Sequence, residues 1–154
     1  MKGSGGKPQP QPTPKQELWT RPRSERYLRL EEVGSGSFAK VTLAIDLLTN
    51  GRVAIKKQKA DSQSCLREFA LLSAIGAHPS EYVAHMLDDY TATESGKTML
   101  CTVHPLADST LWHVFGSSRG RLHDSVLSRY LRGAASVLRH LNTLTIVHGD
   151  ASLC

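Results

Sequence analysis

The fold is decided by residues 34–45, which read GSGSFAKVTLAI. Small turn-forming residues at 34–37 are followed by Val41, Leu43 and Ile45, whose strict alternation is typical of a half-buried strand. Glycines let backbone N–H groups approach phosphate oxygens without a side chain in between, although a plain hairpin turn also fits this loop taken alone. A dinucleotide-binding fold needs a helix directly after such a loop. Because a strand follows instead, the loop joins two strands and the Rossmann fold is excluded.

Further strands and helices extend outward from this hairpin. Asn50-Gly51 is a strong hairpin signal, since both residues tolerate positive φ, and it predicts a third strand. Apolar residues recur at three-residue steps over 66–75 and predict an amphipathic helix that ends at Gly76. The strands are predicted at residues 27–33, 40–46, 52–57, 82–90 and 98–104, and a longer amphipathic helix at 124–141. The apolar helix positions are Leu66, Phe69, Leu72 and Ile75 in the first helix and Leu127, Tyr130, Leu131, Ala134, Leu138 and Leu141 in the second.

Composition and charge exclude several classes of protein. The 154 residues are 40% hydrophobic, and no apolar run approaches the ~20 residues that a membrane span needs. The net charge of +5 comes from basic residues scattered among acids, without the basic stripe that indicates nucleic-acid binding. The histidines and cysteines show no metal-ligand spacing, so no metal site is predicted. Residues 1–24 are rich in Gly, Pro, Gln and Lys and predict a disordered tail.

Cysteine usage and the N-terminus indicate the compartment. Three widely spaced cysteines do not form a disulfide framework and are typical of a reducing environment. No apolar segment follows the N-terminus, as a secretory signal would require. We therefore expect an intracellular protein, cytoplasmic or nuclear.

Lys56 lies in an apolar strand, Val53-Ala54-Ile55-Lys56. Burying an ammonium group without a partner is costly, so one interpretation is an edge-strand lysine that extends to water. Glu68 on the next helix is a candidate partner. A lysine held by a helix carboxylate can present its charge to phosphate oxygens at a fixed place. We therefore predict a Lys56–Glu68 pair.

Four motifs follow one another in a fixed order. They are the glycine loop, the Val53–Lys56 strand, the Arg67-Glu68 helix and, after the long helix, Ile146-Val147-His148-Gly149-Asp150. This order resembles the eukaryotic protein kinase family, and the resemblance covers about residues 27–154. The short interval between Lys56 and Glu68 is similar to that in the group of cyclin-dependent and glycogen synthase kinases.

The resemblance implies an α+β fold. Its first part would be a kinase-like N-lobe, a five-stranded antiparallel sheet plus one helix, and its second part the first helices and catalytic loop of a C-lobe. The N-lobe and hinge would occupy residues 25–108, after the disordered tail at 1–24. The start of the C-lobe would occupy 109–154 and break off in the catalytic loop.

The resemblance also implies which residues carry the chemistry. ATP would be the substrate whose γ-phosphate is transferred to Ser or Thr of a protein. Lys56 would bind the α/β-phosphates, Glu68 would position that lysine, and Asp150 would accept the proton of the substrate hydroxyl. The Mg²⁺ ligands of the family would lie beyond Cys154, so we expect the fragment itself to be inactive.

Nucleotide contacts are implied in three places. The adenine would lie among apolar residues, the loop would cover the phosphates, and the hinge at 104–108 would meet the adenine edge through the Pro105 carbonyl and the Ala107 N–H. The implied ATP-binding residues are Val33, Gly34, Ser35, Gly36, Ser37, Phe38, Ala39, Val41, Ala54, Lys56, Pro105 and Ala107.

Three positions depart from the family pattern. Ala39 replaces the third glycine of the loop and stiffens its tip. Gly149 replaces the Arg that usually binds a phosphorylated activation loop, and Ser152 replaces a Lys that contacts the γ-phosphate.

These departures leave two hypotheses open: part of an active Ser/Thr kinase, or a pseudokinase-like interaction module that transfers no phosphate. Besides ATP and a protein substrate, the resemblance admits a cyclin-like regulatory subunit as partner; neither a nucleic acid nor a membrane is expected.

Overall fold

The computed structural model describes residues 22–37, 39–118 and 121–147, with only the backbone of Trp112. A short 3-10 turn at Arg23–Arg26 precedes the first strand. The strands are β1 (Tyr27–Ser35), β2 (Lys40–Asp46), β3 (Gly51–Lys59), β4 (Asp88–Glu94) and β5 (Lys97–Pro105). The helices are α1 (Gln63–Gly76), α2 (Leu111–Ser117) and α3 (Asp124–Thr143).

The five strands form one antiparallel sheet in the order β1-β2-β3-β5-β4. The predicted α+β fold class, a five-stranded antiparallel sheet plus one helix with further helices after it, is therefore confirmed. The turn between β2 and β3 differs from the prediction. It consists of residues 47–50, of which Asn50 has a φ of 58°, while Gly51 is already the first residue of β3. Asp46 explains the longer turn, because its carboxylate accepts hydrogen bonds from the Leu48 N–H and the Thr49 hydroxyl inside it.

The sheet curls until its two edge strands meet. In a flat sheet β1 and β4 would lie about 19 Å apart, because strands are spaced by ~4.8 Å. Instead the rings of Tyr27 in β1 and Tyr90 in β4 stack with centroids 5.7 Å apart. The Tyr27 hydroxyl donates to Asp88 at 2.8 Å, and Arg29 donates to the Tyr90 hydroxyl at 3.2 Å. Side chains thus connect the two edges across the concave face.

The hydrophobic core fills this concave face. Cross-strand pairs such as Ala44 with Val53 and Ile55 with Val103 place alternate residues of three neighbouring strands on the same side. The core consists of Tyr27, Ala44, Val53, Ile55, Tyr90, Cys101 and Val103. The other residues of these strands face the opposite side, which carries α1 and the candidate site.

The fourth strand begins later than predicted. It spans Asp88–Glu94 rather than 82–90, because the tight turn that connects it to β5 lies at Ser95 and Gly96, with φ of 50° and 75°. This turn pairs Glu94 with Lys97. The pairing then continues without a shift as far as Asp88, which lies opposite Val103. The segment before Asp88 is irregular and lies partly beside α3, where Tyr82 is 4.0 Å from the position a Cβ would take on Gly133.

Helix α1 begins and ends close to the prediction but turns a different face inward. The Ser62 hydroxyl caps its N-terminus by accepting from the Cys65 N–H at 3.1 Å. Cys65 is fully buried, whereas Leu66, predicted on the apolar face, is 57% exposed. Phe69, Leu72 and Ile75 are half-buried as predicted. The inward face therefore runs through Cys65 in place of Leu66.

Helix α3 is the long amphipathic helix that the sequence predicts. His123 caps its N-terminus, and Leu141 in its last turn is buried. Five of its six predicted apolar-face residues are exposed: Leu127, Tyr130, Leu131, Ala134 and Leu138. Within the described residues, no helix is both long and apolar enough to cross a membrane.

Candidate nucleotide site

The candidate site lies on the face of the sheet opposite the core. Directly paired residues on neighbouring antiparallel strands point to the same face. Val41, Lys56 and Thr102 form one such row across β2, β3 and β5. Ala54 and His104 belong to the next row toward the end of β5. The predicted adenine contacts Val41 and Ala54 therefore share a face with the predicted phosphate-binding Lys56.

The glycine loop joins β1 to β2, as the sequence predicts. Gly34 lies opposite Val41 in the ladder, and a Cβ at Gly34 would stand 3.7 Å from the Val41 Cβ. The loop is closed by a hydrogen bond from the Gly36 N–H to the Ala39 carbonyl at 2.9 Å. The β1 ladder shifts register between Glu32 and Gly34, so that Val33 lies in an irregular stretch and stays about half exposed. Phe38 lies outside the described residues.

A cleft of about 580 Å³ separates this loop from the end of β3 and the start of α1. The loop contributes small residues, and β3 and α1 contribute polar and charged ones. Among the described residues, the lining consists of Gly36, Ser37, Ala39, Lys40, Lys57, Gln58, Lys59, Ser62, Ser64, Glu94 and Met99. Lys56 and Glu68 do not line this cleft, and Lys40, Lys57 and Met99 in its lining belong to the opposite face of the sheet.

Lys56 and Glu68 form the predicted ion pair. The Lys56 Nζ donates to Glu68 Oε1 at 2.5 Å, with both side chains about one-third exposed. The second oxygen, Oε2, accepts from Gln58 Nε2 at 3.0 Å. Burial raises the pKa of Glu68, but the hydrogen bonds from Lys56 and Gln58 and the lysine charge outweigh it, so that the pKa lies below its usual value. The carboxylate is therefore held in its charged form.

His104 brings a second titratable group to this face. Its Nε2 lies 2.9 Å from the hydroxyl oxygen of Thr102, a polar side chain that is almost fully buried. Burial and the nearby Lys56 charge lower the pKa of His104, with Glu68 acting in the opposite direction. The imidazole is thereby favoured in its neutral form, which adds no positive charge beside Lys56.

The remaining predicted residues fall at the end of β5 and beyond. Pro105 is the last residue of β5 and pairs with Val53, so the strand runs one residue further than predicted. Ala107 follows in an exposed connection before α2. Asp150, together with Gly149 and Ser152, lies outside the described residues. The structure therefore brings together Val41, Ala54, Lys56 and Glu68.

A magnesium ion, which the kinase resemblance implies, finds no site in the described residues. Across 22–37, 39–118 and 121–147 no three His, Cys, Asp or Glu side chains group so as to bind a metal ion. Because these residues do not fit the ion, no chemical step is derived through it.

Gln58 and Thr102 are site residues that the sequence reasoning missed. Gln58 could have been found, because it follows Lys56 by two positions in a strand and must share its face. Thr102 could not be placed without knowing the register of β5 against β3. The missed residues are polar groups in apolar strands, the same signal that indicated Lys56.

Three known proteins show what the chain is similar to. GLH-binding kinase 1 of Caenorhabditis elegans is 30% identical over 133 residues, which are 81% of this chain and 33% of that protein. Human hormonally up-regulated neu tumor-associated kinase is 30% identical over 129 residues, 79% of this chain and 17% of the relative. Cell division control protein 2 homolog C of Antirrhinum majus is 31% identical over 103 residues, 62% of this chain and 33% of the relative.

The chain thus spans a third or less of each of these relatives. No protein-family model matches it. The matched region nevertheless covers most of this chain in all three comparisons.

Proposed function

This chain is a relative of the eukaryotic protein kinases, similar to the N-terminal region of their kinase domain, and from that premise we propose that it is the ATP-binding part of a protein kinase. The whole protein would transfer the γ-phosphate of ATP to Ser or Thr of a protein substrate. The domain division follows the same proposal, with a tail at 1–24, an N-lobe and hinge at 25–108 and the start of a C-lobe at 109–154.

The Lys56–Glu68 pair is the observation that carries this proposal. An ammonium group at 2.5 Å from a helix carboxylate is held at one place, on the face of the sheet where Lys56 pairs with Val41 of the strand that follows the glycine loop. Charge-assisted contacts of this kind suit the phosphate oxygens of a nucleotide.

The remaining residues take roles around this pair. Val33, Val41 and Ala54 would contact the adenine, and the N–H groups of the loop at 34–39 would approach the phosphates. The Pro105 carbonyl and the Ala107 N–H would meet the adenine edge. Asp150 would orient the substrate hydroxyl and accept its proton.

Nucleotide binding is tested by calorimetric titration of the chain with ATP. Replacing Lys56 removes a charged donor, so Lys56→Met should weaken ATP binding about tenfold to a hundredfold. Lys97→Met is the matched control, because Lys97 is exposed at the start of β5 and does not line the cleft. Equal losses in the two variants, or no loss in Lys56→Met, would contradict the proposed site.

Phosphotransfer is tested on the whole protein that contains this chain. We expect radiolabel transfer from ATP to a generic protein substrate, and Asp150→Asn should abolish it because the amide cannot accept the proton. Nucleotide binding without any transfer would instead support the pseudokinase-like interaction module, as the departures at Gly149 and Ser152 suggest.

Partners and compartment follow from the same proposal. Besides ATP with its Mg²⁺ and a protein substrate, a cyclin-like regulatory subunit is the partner that the kinase resemblance adds. The thiols of Cys65 and Cys101 are both free and buried, which supports a reducing compartment, cytoplasmic or nuclear.

A further inference from the structure

Gln58 is a buried polar side chain to which the proposed nucleotide site assigns no role. It is only 5% exposed, and a buried amide is costly unless its hydrogen-bonding groups have partners. Its Nε2 donates to Glu68 Oε2 at 3.0 Å. Gln58 lies two positions after Lys56 in β3 and therefore on the same face of the sheet.

The two oxygens of the Glu68 carboxylate are held by two chemically different donors. Lys56 provides a charge that is also needed for phosphate oxygens, at 2.5 Å from Oε1. Gln58 provides a neutral N–H, which a phosphate does not attract as it attracts an ammonium group. When Lys56 turns toward a nucleotide, the amide of Gln58 can keep its hydrogen bond to Oε2.

The orientation of α1 depends on the same carboxylate. Among the residues that the structure describes, Glu68 is the α1 side chain that hydrogen-bonds to the sheet, and both of its partners are in β3. Of the apolar side chains of the helix only Cys65 is fully buried, while Phe69, Leu72 and Ile75 are half-buried and Leu66 and Leu71 are exposed. A second anchor on Glu68 therefore restrains the rotation of α1.

We propose that Gln58 is a positioning residue, which holds the Glu68 carboxylate beside Lys56 whether or not nucleotide is bound. The proposal rests on the proposed nucleotide site, because its consequence is a Lys56 ammonium that already stands in place for phosphate. It adds that the chain's own β3 strand, rather than an added partner, keeps α1 in this orientation.

The first test measures the pKa of Glu68 by carbon NMR of its side-chain carboxyl, assigned through its loss in Glu68→Gln. In the wild type this pKa lies below its usual value. Gln58→Leu removes one of the hydrogen bonds that lower it while burial, which raises it, remains, so the pKa should rise. The other titratable groups near Glu68 are Lys56, His104 and Cys65, and none of them is changed.

Two further variants show whether a change in the Glu68 pKa is specific to the hydrogen bond from Gln58. Gln63→Leu removes an exposed glutamine from the first turn of α1 and should leave the Glu68 pKa unchanged. Gln58→Glu keeps the size of the side chain and should raise the Glu68 pKa further, since two carboxylates then share one site. At acid pH the introduced carboxyl is protonated and can donate, so the wild-type orientation of α1 should return, read from its amide chemical shifts.

The second test measures ATP binding by calorimetry on the same proteins. Gln58→Leu should weaken binding about tenfold, because Lys56 loses its fixed partner, whereas Gln63→Leu should bind as the wild type does. An unchanged Glu68 pKa in Gln58→Leu overturns the positioning role whatever the affinity. A raised pKa with unchanged ATP affinity overturns the link to phosphate binding. A wild type that binds no ATP overturns the proposed nucleotide site, and the pKa test still reports on Gln58.

Discussion

Asp46, at the end of β2, has a carboxylate that binds both the turn before β1 and the turn after β2. It accepts hydrogen bonds from Arg26 Nε and from a second Arg26 nitrogen, each at 2.7 Å, and its side chain is only 5% exposed. Arg26 also lies 3.3 Å from Asp88 in β4, and Arg23 donates to the same aspartate. The hydrogen bond from Arg26, opposed by burial and helped by the Leu48 N–H, lowers the pKa of Asp46 to about 2.

The stability of the chain should therefore fall in acid through Asp46. Because its pKa is lower in the folded state than in the unfolded state, its stabilisation is fully present above the unfolded pKa and is lost as the pH falls from ~4 to ~2. The loss should be about 2 kcal/mol in the free energy of unfolding, measured by urea unfolding at a series of pH values. Asp46→Asn should be less stable than the wild type at pH 7, and its free energy of unfolding should change less as the pH falls from ~4 to ~2.

Asp108→Asn is the control for this prediction, because Asp108 is exposed in the connection after β5. It should keep the wild-type pH profile. An acid profile of Asp46→Asn that parallels that of the wild type would show that the pair with Arg26 does not carry the acid sensitivity.

At this scale the sequence predicts well those residues whose chemistry conflicts with their surroundings. A lysine in an apolar strand requires an anionic partner, and Glu68 on the helix that follows the strand was the predicted one. The Arg26–Asp46–Asp88 network could not be predicted, since its members come from a turn, from β2 and from the edge strand β4, which is three strands away from β2. Their contact depends on the curl of the sheet, which no local pattern indicates.

At the scale of elements, turn residues determined where the strands begin. Ser95 and Gly96 both have positive φ, the conformation of a two-residue hairpin that matches strand twist. Their turn moved β4 six residues along the chain from its predicted start at 82 to Asp88. The apolar content of 82–90 predicted a strand, but the hairpin geometry outweighed it.

Gly96→Ala should test the cost of this turn. At a φ of 75° an alanine is strained, although nothing lies within 4 Å of the added Cβ, so the free energy of unfolding should fall by about 1 kcal/mol. Gly133→Ala is the matched control in the interior of α3, where the new Cβ meets Tyr82 at an ordinary contact distance of 4.0 Å. That change should stabilise the chain by about 0.5–1 kcal/mol. Urea unfolding measures both, and a Gly96→Ala as stable as the wild type would contradict the strain.

At the scale of the whole molecule, α3 exposes more apolar surface than a helix in solution usually does. Leu131 is 62% exposed, and Leu127, Tyr130 and Leu138 are each more than 40% exposed. The sequence predicted the amphipathic pattern of this helix correctly. What covers the apolar face could not be predicted, because a periodic pattern indicates that a face is apolar and not what packs against it.

We expect this chain to self-associate through α3 as its concentration rises, because large apolar patches on a surface favour association. Light scattering should show a rising mean mass, and the double variant Leu131→Glu with Leu138→Glu should reduce it. Leu47→Glu is the control, since Leu47 is an exposed leucine in the isolated turn after β2. A wild type that stays monomeric at high concentration would contradict the expectation.

The stacked edges of the sheet also have a kinetic consequence. The contacts that join β1 to β4, such as the Tyr27 hydroxyl to Asp88, link residues 61 positions apart. They can form only after β2, β3 and β5 have brought the edges near each other, since closing so long a loop alone has a high entropic cost. We therefore expect the closure to be a late event of folding and its loss to be an early event of unfolding, in which the chain opens along β1 while the β3–β5 centre of the sheet is still paired.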